Sequence, residues 1–312
     1  MKALTYRQFG GPDRLRVEDL PEPVPQEDGV VLAMAASSLN VIDIRSLKGL
    51  MAPFVDRKFP KIPGTDIAGI VTATGSRASR FKIGDRVFGA TNAFKGGAFA
   101  EYVAVPQSAL TLIPDFMTVQ EAAALPTTGL AALYALRDLG RVKPNDRVLI
   151  YGSSGAAGLF AIQIAKALGA ATTTVSGTAG VAASKAMGAD EAIDYKSGSV
   201  APSGKFDVIV DFSSHFPFAA ARRYLKDAGR FIEASPSIPK FIGSLLANPF
   251  RKQKHLMLQT VARGADLDEL VSLVKRGKLR VTIARSFPIQ EAKQAFIDHD
   301  RGGVVGKIAI TP

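Results

Sequence analysis

Cysteine is absent from the 312 residues, and histidine occurs three times. The first absence excludes a disulfide framework and thiolate chemistry. The second leaves His215, His255 and His299 isolated, without the spacing of a metal centre, so no metal is expected. Long apolar runs are also missing. None approaches the ~20 residues that span a bilayer, although 47 % of the chain is hydrophobic. The opening residues, Met1-Lys2-Ala3-Leu4-Thr5-Tyr6-Arg7, turn polar at once, unlike a secretory leader. A cytoplasmic protein without a membrane partner is the expectation. Acidic residues are in deficit: 28 Asp and Glu against 39 Lys and Arg give a net charge of +11. The cations are scattered, and the densest group, Arg251-Lys252-Gln253-Lys254, has no interleaved aromatics to form a stacking platform. Nucleic acid is therefore not an expected partner.

Two hydrolytic signatures are missing as well. Gly152-Ser153-Ser154-Gly155-Ala156 fails the G-x-S-x-G pattern at its last position. The segment from Gly64 lacks the lysine of a phosphate-binding P-loop.

What the chain does have is a strand, a glycine turn and a helix in immediate succession. Arg147-Val148-Leu149-Ile150-Tyr151 reads as a buried strand. Gly152, Gly155 and Gly158 follow, then the small, apolar helix former run Leu159–Leu168, stopped by Gly169. This is the opening of a dinucleotide-binding βαβ unit. Gly155 lets backbone approach a pyrophosphate. Gly158, with Ala156 and Ala157, lets the helix pack close to the strand. The first helical turn offers N–H groups and a dipole to an anion. Ser153 stands where the common motif has its first glycine, and Ser154 completes the turn.

The length suits about two domains. Residues 1–117 are rich in short apolar runs punctuated by Pro and Gly, which predicts a compact β domain. From Val119 the pattern is helical, interrupted at Pro126. Strands and helices then alternate. Strands are predicted at 147–151, 171–175, 192–195, 206–210, 230–233 and 256–261. Such alternation implies a parallel, doubly wound sheet. The predicted division is 118–262 for that domain, with 263–312 returning to the first. Ligands of such a sheet sit beyond the carboxyl ends of its strands, which singles out the glycine turn, Ser176-Gly177-Thr178, Phe212-Ser213-Ser214 and Ala234-Ser235-Pro236.

Cofactor choice is read at the end of the second strand. A carboxylate there selects NAD by binding the ribose 2′-hydroxyl. This chain has Ser176-Gly177-Thr178 instead, and Asp190 and Glu191 lie well downstream. A 2′-phosphate is therefore admissible. Ser176 and Thr178 offer hydroxyls, and Lys185 and Tyr195 are reachable donors. NADP is the expected cofactor, although Lys185 fits equally well as an exposed helix residue.

Several stretches together carry a family likeness. They are Ser38-Leu39-Asn40-Val41-Ile42-Asp43, Ile62-Pro63-Gly64-Thr65-Asp66, Gly84-Asp85-Arg86-Val87-Phe88-Gly89, Gly97-Ala98-Phe99-Ala100-Glu101-Tyr102, Glu121-Ala122-Ala123-Ala124-Leu125-Pro126, the glycine turn, and Gly306-Lys307-Ile308. The chain resembles the zinc-independent quinone oxidoreductase branch of the medium-chain dehydrogenases/reductases. The resemblance implies a GroES-like catalytic domain, completed by the C-terminal segment, around a Rossmann domain. It implies homodimers and NADPH. Zinc-binding relatives place Cys and His ligands where this chain has Asn40–Asp43 and Gly64-Thr65-Asp66. It also implies that Asn40 and Asp43 line the nicotinamide cleft and that Thr127 contacts the nicotinamide. The plainer reading of Asp43 is a helix cap or turn former, and Lys307 fits equally as a cleft residue or a surface strand lysine.

The expected activity is hydride transfer from NADPH to a small electrophile, a quinone or an α,β-unsaturated carbonyl. Asn40 or Thr127 would donate to the oxygen on which charge develops. The tyrosine that relatives often carry shortly after N-x-x-D is missing from Ile44-Arg45-Ser46-Leu47. The alternative is therefore a non-catalytic NADPH-binding scaffold. The cleft walls are expected from 44–60 and 236–255, both read as irregular.

Overall fold

The computed structural model describes residues 1–54, 58–197, 202–234 and 238–312. The expected strand-end residues Ser235 and Pro236, and 55–57 and 237 of the expected cleft walls, lie outside the described residues.

The N-terminal part contains β1 (Lys2–Thr5), β2 (Arg16–Asp19), β3 (Gly29–Ser38), α1 (Val41–Leu47), β4 (Asp66–Thr74), β5 (Arg86–Ala90), β6 (Tyr102–Pro106) and β7 (Leu110–Leu112). Two helices follow, α2 (Val119–Ala124) and α3 (Pro126–Leu133). Pro126 does not end the helical region but starts α3, in the first-turn position where its missing N–H costs nothing. Thr118 and Glu121 form a reciprocal cap on α2.

The alternating part contains β8 (Arg147–Tyr151), α4 (Ala156–Ala167), β9 (Ala171–Ser176), α5 (Thr178–Ala186), β10 (Glu191–Asp194), β11 (Phe206–Asp211), α6 (Phe218–Ala221), β12 (Leu225–Glu233), α7 (Ile238–Ala247) and β13 (Lys254–Met257). The chain ends with α8 (Gly264–Lys275), β14 (Ile283–Pro288), α9 (Ala292–Arg301) and β15 (Lys307–Thr311).

Two large sheets organise these elements. One is six-stranded in the order β10-β9-β8-β11-β12-β13 and wholly parallel. That is the Rossmann order, reversing direction between β8 and β11. Its central strands are buried on both faces, as helices on both sides require: Val148, Leu149, Ile150, Ile209 and Val210 are all at 0 % exposure. The other sheet has seven strands, with β3 and β4 at its heart. Here the C-terminal segment returns, because β15 pairs with β3 and β14 with β15. The fold is thus an α/β combination of a GroES-like β-rich domain and a Rossmann domain.

Helix α8 joins the two. Leu267, Leu270 and Leu273 pack in the same buried cluster as Leu130 of α3 and Phe88 of β5. Each buried leucine contributes roughly 1.5–3 kcal/mol. An isolated parallel bridge between Gly155 and Gly306 brings the residue before β15 onto the glycine turn.

Four stretches differ from expectation. Strand β12 begins at Leu225 rather than 230, because a register shift between Phe206 and Val208 lets its polar start pair. Strand β13 begins at Lys254 rather than 256. Lys254 can open it because its ammonium is held by the carbonyls of Asn248 and Arg251. The stretches read as irregular contain the end of α1 and the whole of α7. Pro239 and Gly243 masked α7 in the sequence.

Candidate active site

The glycine turn connects β8 to α4 at the carboxyl edge of the parallel sheet. Close approach is built into it. A Cβ on Gly158 would lie 2.5 Å from the Ser153 Cα, and one on Gly180 would lie 2.5 Å from the Ser154 Cβ. Around Gly155 the space is open: a Cβ there meets only the Gly152 carbonyl oxygen, at 3.7 Å. Backbone is therefore accessible just where the first turn of α4 (Ala156, Ala157, Gly158) presents its N–H groups. Ser154 is half-buried beside it. Phe212 and Ser213, after β11, lie against this turn, since a Cβ on Gly152 would come within 2.9 Å of the Ser213 nitrogen. Ser213 is fixed by Asp211, whose Oδ1 accepts from its N–H at 2.8 Å and its hydroxyl at 2.5 Å.

Ser153 needs correction as a ligand contact. It is at 0 % exposure, and its hydroxyl shares a 2.8 Å hydrogen bond with Ser184 of α5. It holds α5 against the turn.

The rim after β9 is also more specific than the sequence showed. Gly177 opens α5, and a Cβ there would lie 3.4 Å from both the Tyr195 Oη and the Lys196 Cε. Tyr195 and Lys196 thus overhang Ser176-Gly177-Thr178. Lys196 was missed because only the pairing of β10 with β9 brings it there. The same pairing puts a carboxylate at this rim, for Asp194 is opposite Ser176. It is hydrogen-bonded first by Thr178 and then by the Lys196 N–H, which hold it below the usual carboxylate range. Lys185 is not at this rim. It lies in the last turn of α5, at the far end of the helix, and its ammonium donates to the Asp190 carbonyl at 2.5 Å.

The densest polar cluster lies in the other domain, at the start of β4. Asp66 is at 0 % exposure and its carboxylate takes four donors. Oδ2 accepts from Ser38 Oγ at 2.5 Å, Asn40 Nδ2 at 2.9 Å and Lys307 Nζ at 3.1 Å. Oδ1 accepts from the Thr127 N–H at 2.8 Å. That last bond caps the first turn of α3 with a negative charge, which its dipole favours. Lys307, at 2 % exposure, gives its other hydrogens to Asn40 Oδ1 at 2.6 Å and the Leu39 carbonyl at 3.1 Å. Its three donors meet three acceptors, which is what makes a buried ammonium tolerable. Lys307 is thus an inner residue and not a surface strand lysine.

Asn40 and Asp43 are both in this cluster, at 3 % exposure each. Asn40 Nδ2 also donates to the Ser38 carbonyl at 3.2 Å, so the amide is fully committed. Asp43 Oδ2 accepts from the Asn40 N–H at 2.8 Å, as a cap of α1, and its Oδ1 accepts from Thr65 Oγ1 at 2.7 Å. Burial pushes the Asp43 carboxyl up to about 7 against those two hydrogen bonds. Thr127 differs: it is half-buried, and its hydroxyl makes no hydrogen bond to a described residue. His299, set aside in the sequence as isolated, is half-buried. Burial first and the Lys307 charge second hold it below the usual histidine value.

Comparison with known proteins places this arrangement. Residues 26–115 match the family of alcohol dehydrogenase GroES-like domains. Residues 187–310 match the zinc-binding dehydrogenase family. The chloroplast envelope quinone oxidoreductase homolog of Arabidopsis thaliana is 33% identical over 324 residues, spanning 100% of this chain and 98% of that protein. The chain belongs to the medium-chain dehydrogenase/reductase superfamily, in its quinone oxidoreductase-like branch.

Other similar proteins agree. The human mitochondrial NAD(P)H oxidoreductase RTN4IP1 is 30% identical over 353 residues, covering 99% of this chain and 89% of that one. The solved quinone oxidoreductase from Coxiella burnetii superposes with a TM-score of 0.92 at 30% identity, over 100% of this chain and 99% of its own. The glycine turn lies at the carboxyl edge of the parallel sheet, and the Asp66 cluster lies at the start of β4 in the β-rich domain. Among the described residues no helix is long and apolar enough to cross a membrane. Among the same residues no group of three or more His, Cys, Asp and Glu is arranged to hold a metal ion.

Proposed function

We propose that this oxidoreductase transfers hydride from NADPH to a small electrophile, a quinone or an α,β-unsaturated carbonyl, without zinc. Residues 1–117 and 263–312 form the catalytic unit and 118–262 the cofactor unit. The observation that carries the reading is the buried ammonium of Lys307 bonded to Asn40 and Asp66. Zinc-binding relatives place metal ligands at these segments. A lysine cation there repels a divalent ion, and no thiolate offsets it.

The cofactor supplies the hydride when bound, and the chain supplies position. Ser154, Gly155 and the N–H groups of Ala156, Ala157 and Gly158 hold the pyrophosphate. Phe212 and Ser213 border it. Ser176, Gly177, Thr178, Tyr195 and Lys196 receive the ribose 2′-phosphate, with Lys196 offsetting the Asp194 charge. Thr127 faces the nicotinamide, and its hydroxyl donates to the substrate oxygen in place of the committed Asn40 amide. Asn40, Asp43, Asp66 and Lys307 form the rigid floor that sets Thr127. The proton comes from solvent. The working form is a cytoplasmic homodimer.

Fluorescence titration with NADPH and NADH, followed by oxidation of bound NADPH with a panel of quinones and enones, tests this. Tight NADPH binding with turnover insensitive to chelators is the expected result. Binding without turnover would favour a scaffold role, and no binding would sink the proposal.

A further inference from the structure

A cavity of about 720 Å³ opens at the far end of α4 from the glycine turn. Gln163, Lys166 and Ala167 line it at the end of that helix, whereas the turn precedes its start at Ala156. From Ala156 to Ala167 the helix rises about 16 Å. The other walls are the end of α5, Phe116 and Met117 ahead of α2, and the chain from Val274 to Val281 that leads α8 into β14. The cavity therefore lies on the seam between the two domains. The buried Gln163 amide pins that seam. Its Oε1 accepts from the Arg280 N–H at 2.9 Å, and its Nε2 donates to the Arg280 carbonyl at 3.2 Å. The walls are thus fixed against each other, and the volume falls in the roughly 300–1,000 Å³ range of small-molecule sites.

The floor is apolar. Met117 and Leu279 are buried, and Met187, Val274 and Val281 are half-buried beside them. The methionines let such a floor adapt to a flexible chain. The rim is charged, and its charges do not cancel. Three helices, α4, α5 and α8, end here, each end carrying roughly half a negative charge. Lys166, Lys185 and Lys275 in their last turns meet it, and Lys166 also pairs with Asp190 at 2.8 Å. Glu121, the carboxylate of the lining, is taken up by the Thr118 N–H and hydroxyl. Lys278 and Arg280 are left over. The exposed Lys278 ammonium bonds to no described residue. The Arg280 guanidinium is aimed rather than neutralised. Nη2 donates to the Ala186 carbonyl at 2.9 Å and Nε to the Met187 Sδ at 3.3 Å, while Nη1 bonds to no described residue. No Asp or Glu occurs from 270 to 290. A guanidinium fork beside an ammonium suits a carboxylate. A wholly hydrophilic anion would leave the floor unused, and a neutral chain would leave the two cations unanswered.

We propose that this seam cavity binds an amphipathic carboxylate of the medium-chain fatty acid class, its chain on the floor and its head between Lys278 and Arg280. The inference stands apart from the cofactor reading, since none of the residues assigned to the cofactor lines the cavity. The test is calorimetric titration of the full chain with octanoate, octanol and octyltrimethylammonium. Saturable binding of octanoate is expected, with octanol about tenfold weaker and the ammonium weaker still. Lys278→Gln with Arg280→Gln should weaken octanoate about tenfold, two partly exposed charge pairs being lost, and leave octanol unchanged. Ala167→Trp, at an exposed position of the lining, should weaken both by filling the space. Circular dichroism checks each variant, and if one fails to fold the other carries the test. No saturable octanoate binding up to about 1 mM, octanol as tight as octanoate, or octanoate binding unchanged in a folded variant would overturn the proposal.

Discussion

Lys307→Met removes the one cation among the described residues that is bonded to the buried Asp66 carboxylate, while keeping most of the side chain's volume. The Nζ–Oδ2 separation is 3.1 Å, and the two side chains are 2 % and 0 % exposed. The gross attraction at that distance is about 5 kcal/mol for an effective dielectric of about 20. Removing one partner of a buried pair typically costs ~3–5 kcal/mol, because the other charge is stranded. Asp66 keeps Ser38, Asn40 and the Thr127 N–H as donors, which places the expected loss near the lower end, about 3 kcal/mol. Asp66→Asn alone strands the ammonium and should also be costly. Lys307→Met with Asp66→Asn removes both charges, so the double variant should be more stable than the sum of the single losses allows. Urea unfolding at neutral pH measures all four species. A loss below about 1 kcal/mol for Lys307→Met, or strictly additive losses, would refute the reasoning that this pair holds the floor of the site.

Three further outcomes follow from the geometry. Gly180→Ala puts a Cβ 2.5 Å from the Ser154 Cβ and 2.7 Å from the Ser176 Oγ. It should cost ~1–3 kcal/mol by overpacking and displace α5 from the glycine turn, which calorimetric unfolding and a cofactor titration would both register. Lys196→Ala should weaken NADPH binding about tenfold and leave NADH unchanged, as expected when a charge-assisted bond to a phosphate is lost; equal loss for both cofactors would remove Lys196 from the 2′-phosphate rim. Asp43 has its carboxyl pushed from 3.8 up to about 7 by burial. The folded state therefore binds the proton more tightly than the unfolded chain, and stability falls as pH rises through that window, by up to about 4 kcal/mol. Asp43→Asn should flatten that slope in denaturation curves taken from pH 4 to 8, roughly bracketing the window, and an unchanged slope would show that Asp43 is not its source.

The parallel half of the molecule was legible because its signals are local. Apolar strands such as Val148–Ile150, the turn at Gly152–Gly158 and the stop at Gly169 each sit within a dozen residues. The Asp66 cluster is different. Asp66 draws its donors from Ser38, Asn40, Thr127 and Lys307, up to 241 residues away in sequence. Its own segment, Asp66-Ile67-Ala68-Gly69, reads as an ordinary strand start. Lys307 was ambiguous because burial of a strand lysine depends on waiting acceptors, and these come from the Leu39–Asn40 corner. Lys196 and Asp194 reach the rim at Ser176-Gly177 only through the pairing of β10 with β9. Lys185 went the other way: it was read as a reachable donor, but the length of α5 carries it to the far end. Sequence proximity found the residues of the turn, and tertiary pairing decided the rest.

The most direct test of the account is a turnover experiment with NADPH deuterated at C4 of the nicotinamide and an enone acceptor, in the presence of a strong chelator. Deuterium at the β-carbon of the reduced product, at a rate the chelator does not change, is the predicted result. Bound NADPH that never delivers deuterium to any acceptor, or turnover that stops when metal is removed, would contradict zinc-independent hydride transfer in this cleft.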